Sequence, residues 1–226
     1  MPAKNWIEAL TVLLAFCAGF CDATTFVVAH LLSASITGNL VVFAVDVAHH
    51  ADAHTWVKLG SFPVFVLALV TARAVARRTT HLDLLLVLEG SLLLAAGLLA
   101  LASESFSLPG ALKITALTIV FAMGLHNAFS TLAGQQVLGP TTVMTGKLTQ
   151  LVFAEVELHD SPAPEATAAS RVSLQKQAPI FGAFLLGCLA GAHLATWWGL
   201  VVVIVPGLLL LASPWVSRRY PIMGQA

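Results

Sequence analysis

The chain has 226 residues, 58% of them hydrophobic and 10% charged, with a formal net charge of zero and a mean hydropathy of +0.89. A soluble domain carries roughly a quarter of its residues as charges, so a fully water-covered surface is excluded, and the apolar surplus lies in runs long enough for transmembrane helices. No basic block is present, which leaves no compositional case for nucleic-acid binding, and the three cysteines, Cys17, Cys21 and Cys188, lack CxxC spacing and sit in apolar segments, where they read as packing residues rather than redox or metal ligands.

The first predicted span, Trp6–Val28, follows Lys4 and resembles a secretory leader only superficially. Glu8 lies inside its early part, no small-x-small cleavage site follows, and Phe16 and Phe20 stand before Cys17 and Cys21 where a lipoprotein signal needs a small residue. The segment is therefore read as a retained first helix. It carries Asp22, roughly 24 Å along the helix axis from Trp6 at 1.5 Å per residue. A carboxylate at that depth costs a few kcal/mol on insertion scales and needs a partner or a cavity. Two readings stand: pairing with Lys147 from the other half of the chain, or capping of the break after the first helix through backbone N–H groups near His30–Ser35.

The second segment, Leu32–Val47, is short and is interrupted by Thr37-Gly38-Asn39. The linker after it holds His49, His50, Asp52 and His54, whose spacing fits no strong zinc pattern, so no metal or cofactor is expected. Two full-length runs follow, Trp56–Val75 and Leu82–Leu101, and then a turn over Ala102–Gly110. Beyond it come Leu112–Leu132, the shorter Val137–Val156 interrupted by Thr145-Gly146-Lys147, a polar stretch Glu155–Gln177 expected to be a flexible surface loop, and finally Ala178–Trp198 and Leu200–Val216.

The two halves repeat one another. Gly19-Phe20-Cys21-Asp22-Ala23 and Gly124-Leu125-His126-Asn127-Ala128 both read G-x-x-[DN]-A, offset by 105 residues, and Thr37-Gly38 and Thr145-Gly146 follow at an offset of 108. The difference requires a three-residue insertion around Gln135–Gly139. The expected architecture is a single all-α polytopic membrane domain, residues 1–226, with repeat one at about 1–103 and repeat two at about 109–226. If the Thr-Gly segments dip in and return, each half has three spanning helices plus a short broken or re-entrant segment, and the repeats are inverted. The alternative is eight spanning helices. With three spans per half and the N-terminus inside, Lys4, Arg73, Arg77, Arg78, Arg171, Lys176, Arg218 and Arg219 fall inside and Lys58 and Lys113 outside. Eight spans instead move Arg73, Arg77 and Arg78 outside, and the positive-inside rule narrowly favours the inverted repeats.

Paired short, glycine-interrupted segments in matching places point to a binding site at the repeat interface. Close helix packing through small residues is the competing explanation; it accounts for Thr37-Gly38 and Thr145-Gly146 but less well for Asn39 and Lys147. The candidate substrate-binding set is Asp22, Thr37, Gly38, Asn39, His126, Asn127, Thr145, Gly146 and Lys147. His126 reads either as a proton relay or as a hydrogen-bonded residue between helices.

These same motifs, Gly19–Ala23, Thr37–Asn39, Gly124–Ala128 and Thr145-Gly146, resemble the YoaK family of bacterial integral membrane proteins, a domain-of-unknown-function family, over essentially the whole chain. The resemblance implies a multi-pass protein of the bacterial inner membrane and brings no biochemical activity with it. This chain departs from the pattern at His126, where the resemblance implies glutamine, and at Lys147, where it implies a small polar residue. No HExxH, GxSxG or comparable motif is present, so no enzymatic activity is expected. The expected function is secondary transport of a small molecule or ion, with the lipid bilayer as surroundings and no nucleic-acid partner. A structural or assembly subunit and, behind it, a membrane-embedded enzyme are the alternatives.

Overall fold

The computed structural model describes residues 2–49, 55–79, 81–106, 110–133, 144–160 and 164–217. All regular structure among them is helical: α1 (Pro2–Ala29), α2 (Ile36–Ala48), α3 (Thr55–Arg78), α4 (Asp83–Phe106), α5 (Ala111–Leu132), α6 (Met144–Asp160), α7 (Pro164–Trp198), a 3-10 turn (Gly199–Val203) and α8 (Ile204–Ser217). Five stretches are long and apolar enough to cross a membrane, as a multi-pass membrane protein requires: Trp6–Ala29, Thr55–Arg78, Asp83–Ser103, Ala111–Leu132 and Arg171–Pro214. The last has 44 residues, and the chain turns within it at Gly199, whose φ of +54° is left-handed backbone that a side chain would strain.

Two expectations need correction. The stretch Glu155–Gln177 is not a loop: α6 continues to Asp160 and α7 begins at Pro164, so only residues 161–163 lie outside the described residues. A proline at the first helical position has no N–H to lose, and Glu165, Ala166, Ala168, Ala169, Arg171, Gln175 and Lys176 are good helix formers. The mixture of Pro, Ser and Ala that suggested a loop is a helix start. Likewise, the Thr-Gly pairs are not the breaks themselves. Thr37-Gly38 lies one residue inside α2 and Thr145-Gly146 one residue inside α6; on the first side the non-helical backbone precedes the pair, at His30–Ser35. The corresponding stretch before α6, residues 134–143, lies outside the described residues, as do Arg218-Arg219 and the histidine linker 50–54.

The helices interlock across the two halves. α1 packs along α7, and α5 packs along α3, whereas α4 packs against both α5 and α8. Glycines permit these approaches. A Cβ on Gly19 would overlap the carbonyl oxygen of Phe184, and one on Gly124 would crowd the side chain of Ala68 and stand 3.3 Å from the carbonyl oxygen of Phe65. Between α4 and α8 the fit is reciprocal: a Cβ on Gly90 would lie 2.8 Å from the Gly207 oxygen, and one on Gly207 would lie 3.1 Å from the Gly90 oxygen. Dispersion between backbones at this range substitutes for the hydrophobic drive that lipid removes.

These contacts fix directions. Gly90 meets Gly207 and Leu211, while Gly97 meets Val201 and Ile204, so α4 and α8 run antiparallel. Along α1, Ala15 clusters with Ile180 and Ala183, and Phe20 with Leu194 and Ala195, so α1 and α7 run the same way. α2 lies antiparallel to α3, with Asn39 bonded to Ser61 and Asp46 to Lys58 and Thr55. The main apolar core lies where α1, α4, α5 and α8 meet, around Leu14, Cys17, Cys21, Leu86, Leu93, Met123, Leu125, Phe129, Val203 and Leu210.

Candidate functional site

The break after α1 is built from its own sequence. His30 closes α1 with N–H donated to the Phe26 carbonyl at 3.0 Å and then adopts φ +51°, left-handed backbone that costs a residue with a Cβ about 1–2 kcal/mol. The chain thereby doubles back along α1. Seven residues below Ala29, roughly 10 Å along the axis, Asp22 receives the returning strand. Its Oδ1 accepts the backbone N–H of Ala34 at 2.5 Å and the Ser33 hydroxyl at 3.2 Å, and its Oδ2 accepts the Ser35 hydroxyl at 2.7 Å. Asp22 is 5% exposed. Three donors meet a buried carboxylate, and bonds to a charged acceptor are the strong ones. This is the capping role that the sequence left open for Asp22.

Asn39 holds the same limb from the other side. Its amide makes a two-pronged contact with Leu32, Oδ1 accepting the Leu32 N–H at 2.8 Å and Nδ2 donating to the Leu32 carbonyl at 2.6 Å, while Nδ2 also donates to Ser61 Oγ at 3.1 Å. An amide is the side chain that offers donor and acceptor side by side. Gly38 completes the fit, since a Cβ there would stand 2.6 Å from Leu32 Cδ1. Thr37 is exposed on the outer side of the turn. Farther along α2, Asp46 forms an ion pair with the buried Lys58 of α3, closing the hairpin.

The second set of polar groups lies between α4 and α5. His126 Nδ1 stands 2.8 Å from Glu89 Oε1, and both side chains are fully buried. Glu89 Oε2 is buried without a hydrogen-bond partner among the described residues. Counted back from the α4–α5 hairpin, the pair lies about 23–26 Å along the two helices. Glu89 was missed in the sequence reading. The signal is nonetheless present: Glu89 is the one carboxylate within the apolar run Leu84–Leu101, and such a residue is a functional candidate by default.

The remaining candidates divide. Asn127 is half-buried beside His126, and its carbonyl accepts the Thr131 hydroxyl at 2.9 Å. Gly146 is half-buried in the first turn of α6. The side chains of Thr145 and Lys147 lie outside the described residues, and with them the expected Asp22–Lys147 pairing. The structure thus joins Asp22, Gly38 and Asn39 through one limb of chain and sends His126 to a different partner, Glu89. An open apolar hollow of about 500 Å³ lies on the outer face of α2, lined by Leu40, Val41, Ala44, Val45, Ala48 and His49; none of the candidate residues lines it. No group of three or more His, Cys, Asp or Glu side chains suited to a metal ion occurs among the described residues.

Apolar helices of spanning length, buried polar groups tied to a doubled-back segment, and a fully buried acid–imidazole pair define an all-helical polytopic membrane protein. The chain matches, over residues 10–215, the family described as "Protein of unknown function (DUF1275)", and it belongs to that family. No curated protein and no solved structure matches it.

Proposed function

We propose that the protein is a secondary transporter for a small solute or ion in the bacterial inner membrane, built from two inverted repeats whose short helices meet the substrate, and that it is not an enzyme. One observation carries the reading: both short helices begin at half the depth of the bundle. Ile36, at the start of α2, shares an apolar cluster with Val120 of α5 and Val64 of α3. Met144, at the start of α6, shares one with Ala15 of α1 and Ile180 of α7. Ala15 and Val120 are each the tenth residue of their spans, about 14 Å in.

Three residues of each cluster correspond. Ile36 matches Met144 at the Thr-Gly offset of 108, and Val120 matches Ala15 at the motif offset of 105. Val64 and Ile180 each follow the proline inside their helix, Pro63 and Pro179. Exchange of α1 with α5 and of α3 with α7 reproduces the packing of α1 on α7 and α5 on α3, and the reciprocal Gly90–Gly207 contact is what a two-fold axis between α4 and α8 produces. Direction supports the same arrangement. Eight crossings would send α4 and α8 the same way, whereas they run antiparallel, as three crossings per half require.

Helix N-termini at the membrane midplane carry partial positive charge, and broken helices in transporters turn such ends toward anionic groups. Lys147, the fourth residue of α6, is a residue of the same sign of charge. The favoured substrate class is therefore a small anion or a solute with an anionic group, held by the first turns at Thr37-Gly38 and Thr145-Gly146, with Asp22 and Asn39 holding the first of them in place. The hydrogen bonds of Asp22 and Asn39 also suit a structural membrane subunit, which is the second reading. Uptake into proteoliposomes of a panel of labelled anionic, neutral and cationic solutes separates the two. Saturable uptake of an anion that Lys147→Gln weakens is expected; a panel that never exceeds empty vesicles, with correctly folded protein, refutes transport of these classes.

A further inference from the structure

We propose that Glu89 and His126 form a proton-binding site in the core of the membrane, and that the proton is the coupling ion of the transporter. Its use in coupling rests on the transport reading above; its existence does not.

Glu89 and His126 are both fully buried, 2.8 Å apart, and their neighbours in sequence Leu86, Leu93, Met123, Leu125 and Phe129 belong to the main apolar core. With an ionised Glu89 and a neutral imidazole the pair carries a net charge of minus one, which a low-dielectric interior penalises heavily. Uptake of one proton onto the imidazole makes His126 a cation with N–H on both ring nitrogens. Nδ1–H then donates to Glu89 Oε1, and the pair becomes neutral overall. Release reverses the step, returning one proton to water and leaving the carboxylate and the neutral ring. Nothing else is consumed. A buried ion pair of this kind is held together while both members are charged and is strongly destabilised when one is not, so proton occupancy is tied to the packing of α4 on α5.

The titratable groups on the described parts of the helices around the pair are otherwise placed. On α1, the thiols of Cys17 and Cys21 are buried in the main apolar core. Asp22, next along α1, is committed to Ser33, Ala34 and Ser35. The 3-10 turn and α8, which cover the other side of α4, carry no titratable side chain between Gly199 and Ser217. α3 meets α5 through Phe65 and Ala68; its Lys58 is paired with Asp46, and Arg73, Arg77 and Arg78 are exposed. Asp83 on α4 and Lys113 on α5 lie near the ends of those helices. Glu89 Oε2, which has no hydrogen-bond partner among the described residues, is the second mark of a working site: most buried polar atoms are paired, as both oxygens of Asp22 are.

The pair also lies where a coupling site is useful. In the three-plus-three arrangement α4 rises from the cytoplasmic Arg77-Arg78 side, so Glu89, six residues into α4, is about 9 Å from the inner end. Asp22 and the limb it holds lie toward the opposite face.

The test uses the full chain, purified and placed in lipid nanodiscs with nitrogen-labelled histidine. Nitrogen NMR follows each imidazole across the pH range over which the protein stays folded, and His126 is assigned by the signals that vanish in His126→Gln. The expected result is a change of His126 from neutral ring to imidazolium as pH falls, abolished in Glu89→Gln and retained in Glu89→Asp. A His126 ring that keeps one charge state throughout overturns the site, on wild-type protein alone and whatever the folding of the variants. Coupling is read separately in proteoliposomes, where an imposed proton gradient should drive uptake in wild type and fail to do so in Glu89→Gln. If His126 titrates but no solute enters wild-type vesicles, the transport reading falls and the proton site stands. If uptake proceeds without response to the gradient, coupling by this site is overturned while transport stands.

Discussion

Replacing Asp22 tests the account of the doubled-back limb directly. In the wild type its carboxylate satisfies the Ala34 N–H and the hydroxyls of Ser33 and Ser35 at a position 5% exposed. In Asp22→Ala all three donors lose their acceptor. The two hydroxyls can rotate toward other carbonyls, but the backbone N–H cannot, and an orphaned buried donor costs about 1–3 kcal/mol. Adding the lost charge-assisted hydroxyl bonds brings the expected loss to about 3–4 kcal/mol. Asp22→Asn differs. Its amide oxygen can still accept from Ala34 and Ser33, and only the Ser35 hydroxyl, now facing an NH2 group, must turn from donor to acceptor, for a loss of about 1 kcal/mol. The assay is thermal unfolding of the detergent-solubilised variants, followed by the exposure of the buried thiols Cys17 and Cys21 to a fluorogenic maleimide, together with uptake in proteoliposomes. The expected order of stability is wild type, then Asn, then Ala, with Asn retaining uptake. An alanine variant as stable as wild type would refute the staple, and an asparagine variant that folds normally but is inactive would show that the charge of Asp22, and not its hydrogen bonds, is what function needs.

Three further outcomes follow from the packing and topology. Gly90→Val puts a branched side chain where a single Cβ already lies 2.8 Å from the Gly207 oxygen; it should separate α4 from α8 and destabilise by about 1–3 kcal/mol, as overpacking does, measured as a lowered Tm, whereas Gly60→Ala, where a Cβ meets nothing within 4 Å, should leave Tm near wild type. Asn39→Leu removes both prongs of the Leu32 contact and should cost about 2–4 kcal/mol through buried, unpaired backbone groups, read as faster hydrogen exchange of residues 31–36 and a lower Tm; unchanged exchange there would contradict the assignment. Single cysteines at Arg78 and at Gly110, in a cysteine-free background in intact cells, should be labelled by membrane-impermeant maleimide only at Gly110, and labelling of the Arg78 variant from outside would exclude the three-plus-three arrangement.

The membrane class and most of the segments were legible in the sequence because each is a local property of the chain. Apolar runs of about 20 residues announce spans wherever they pack. The candidate residues Asp22, Asn39 and His126 were also readable, since a polar group in an apolar run is costly whatever its partner. Partners were not. The Asp22 carboxylate and the Ser33–Ser35 limb meet only because His30 takes a left-handed conformation and sends the chain back along α1, and residue types do not announce that reversal. Asn39 and Leu32, seven residues apart, meet for the same reason. Glu89 and His126 are 37 residues apart and come together through the antiparallel α4–α5 hairpin. The helical continuation through Pro164 was hidden because proline, serine and alanine serve both loops and helix starts, and the choice between them depends on what the following turns pack against. The order of packing, with α1 laid on α7 and α5 on α3, was decided by tertiary structure alone. Lipid supplies no hydrophobic preference for one helix partner over another, so the partner is chosen by how closely two surfaces fit, and closeness of fit is a property of pairs of helices that neither sequence carries by itself.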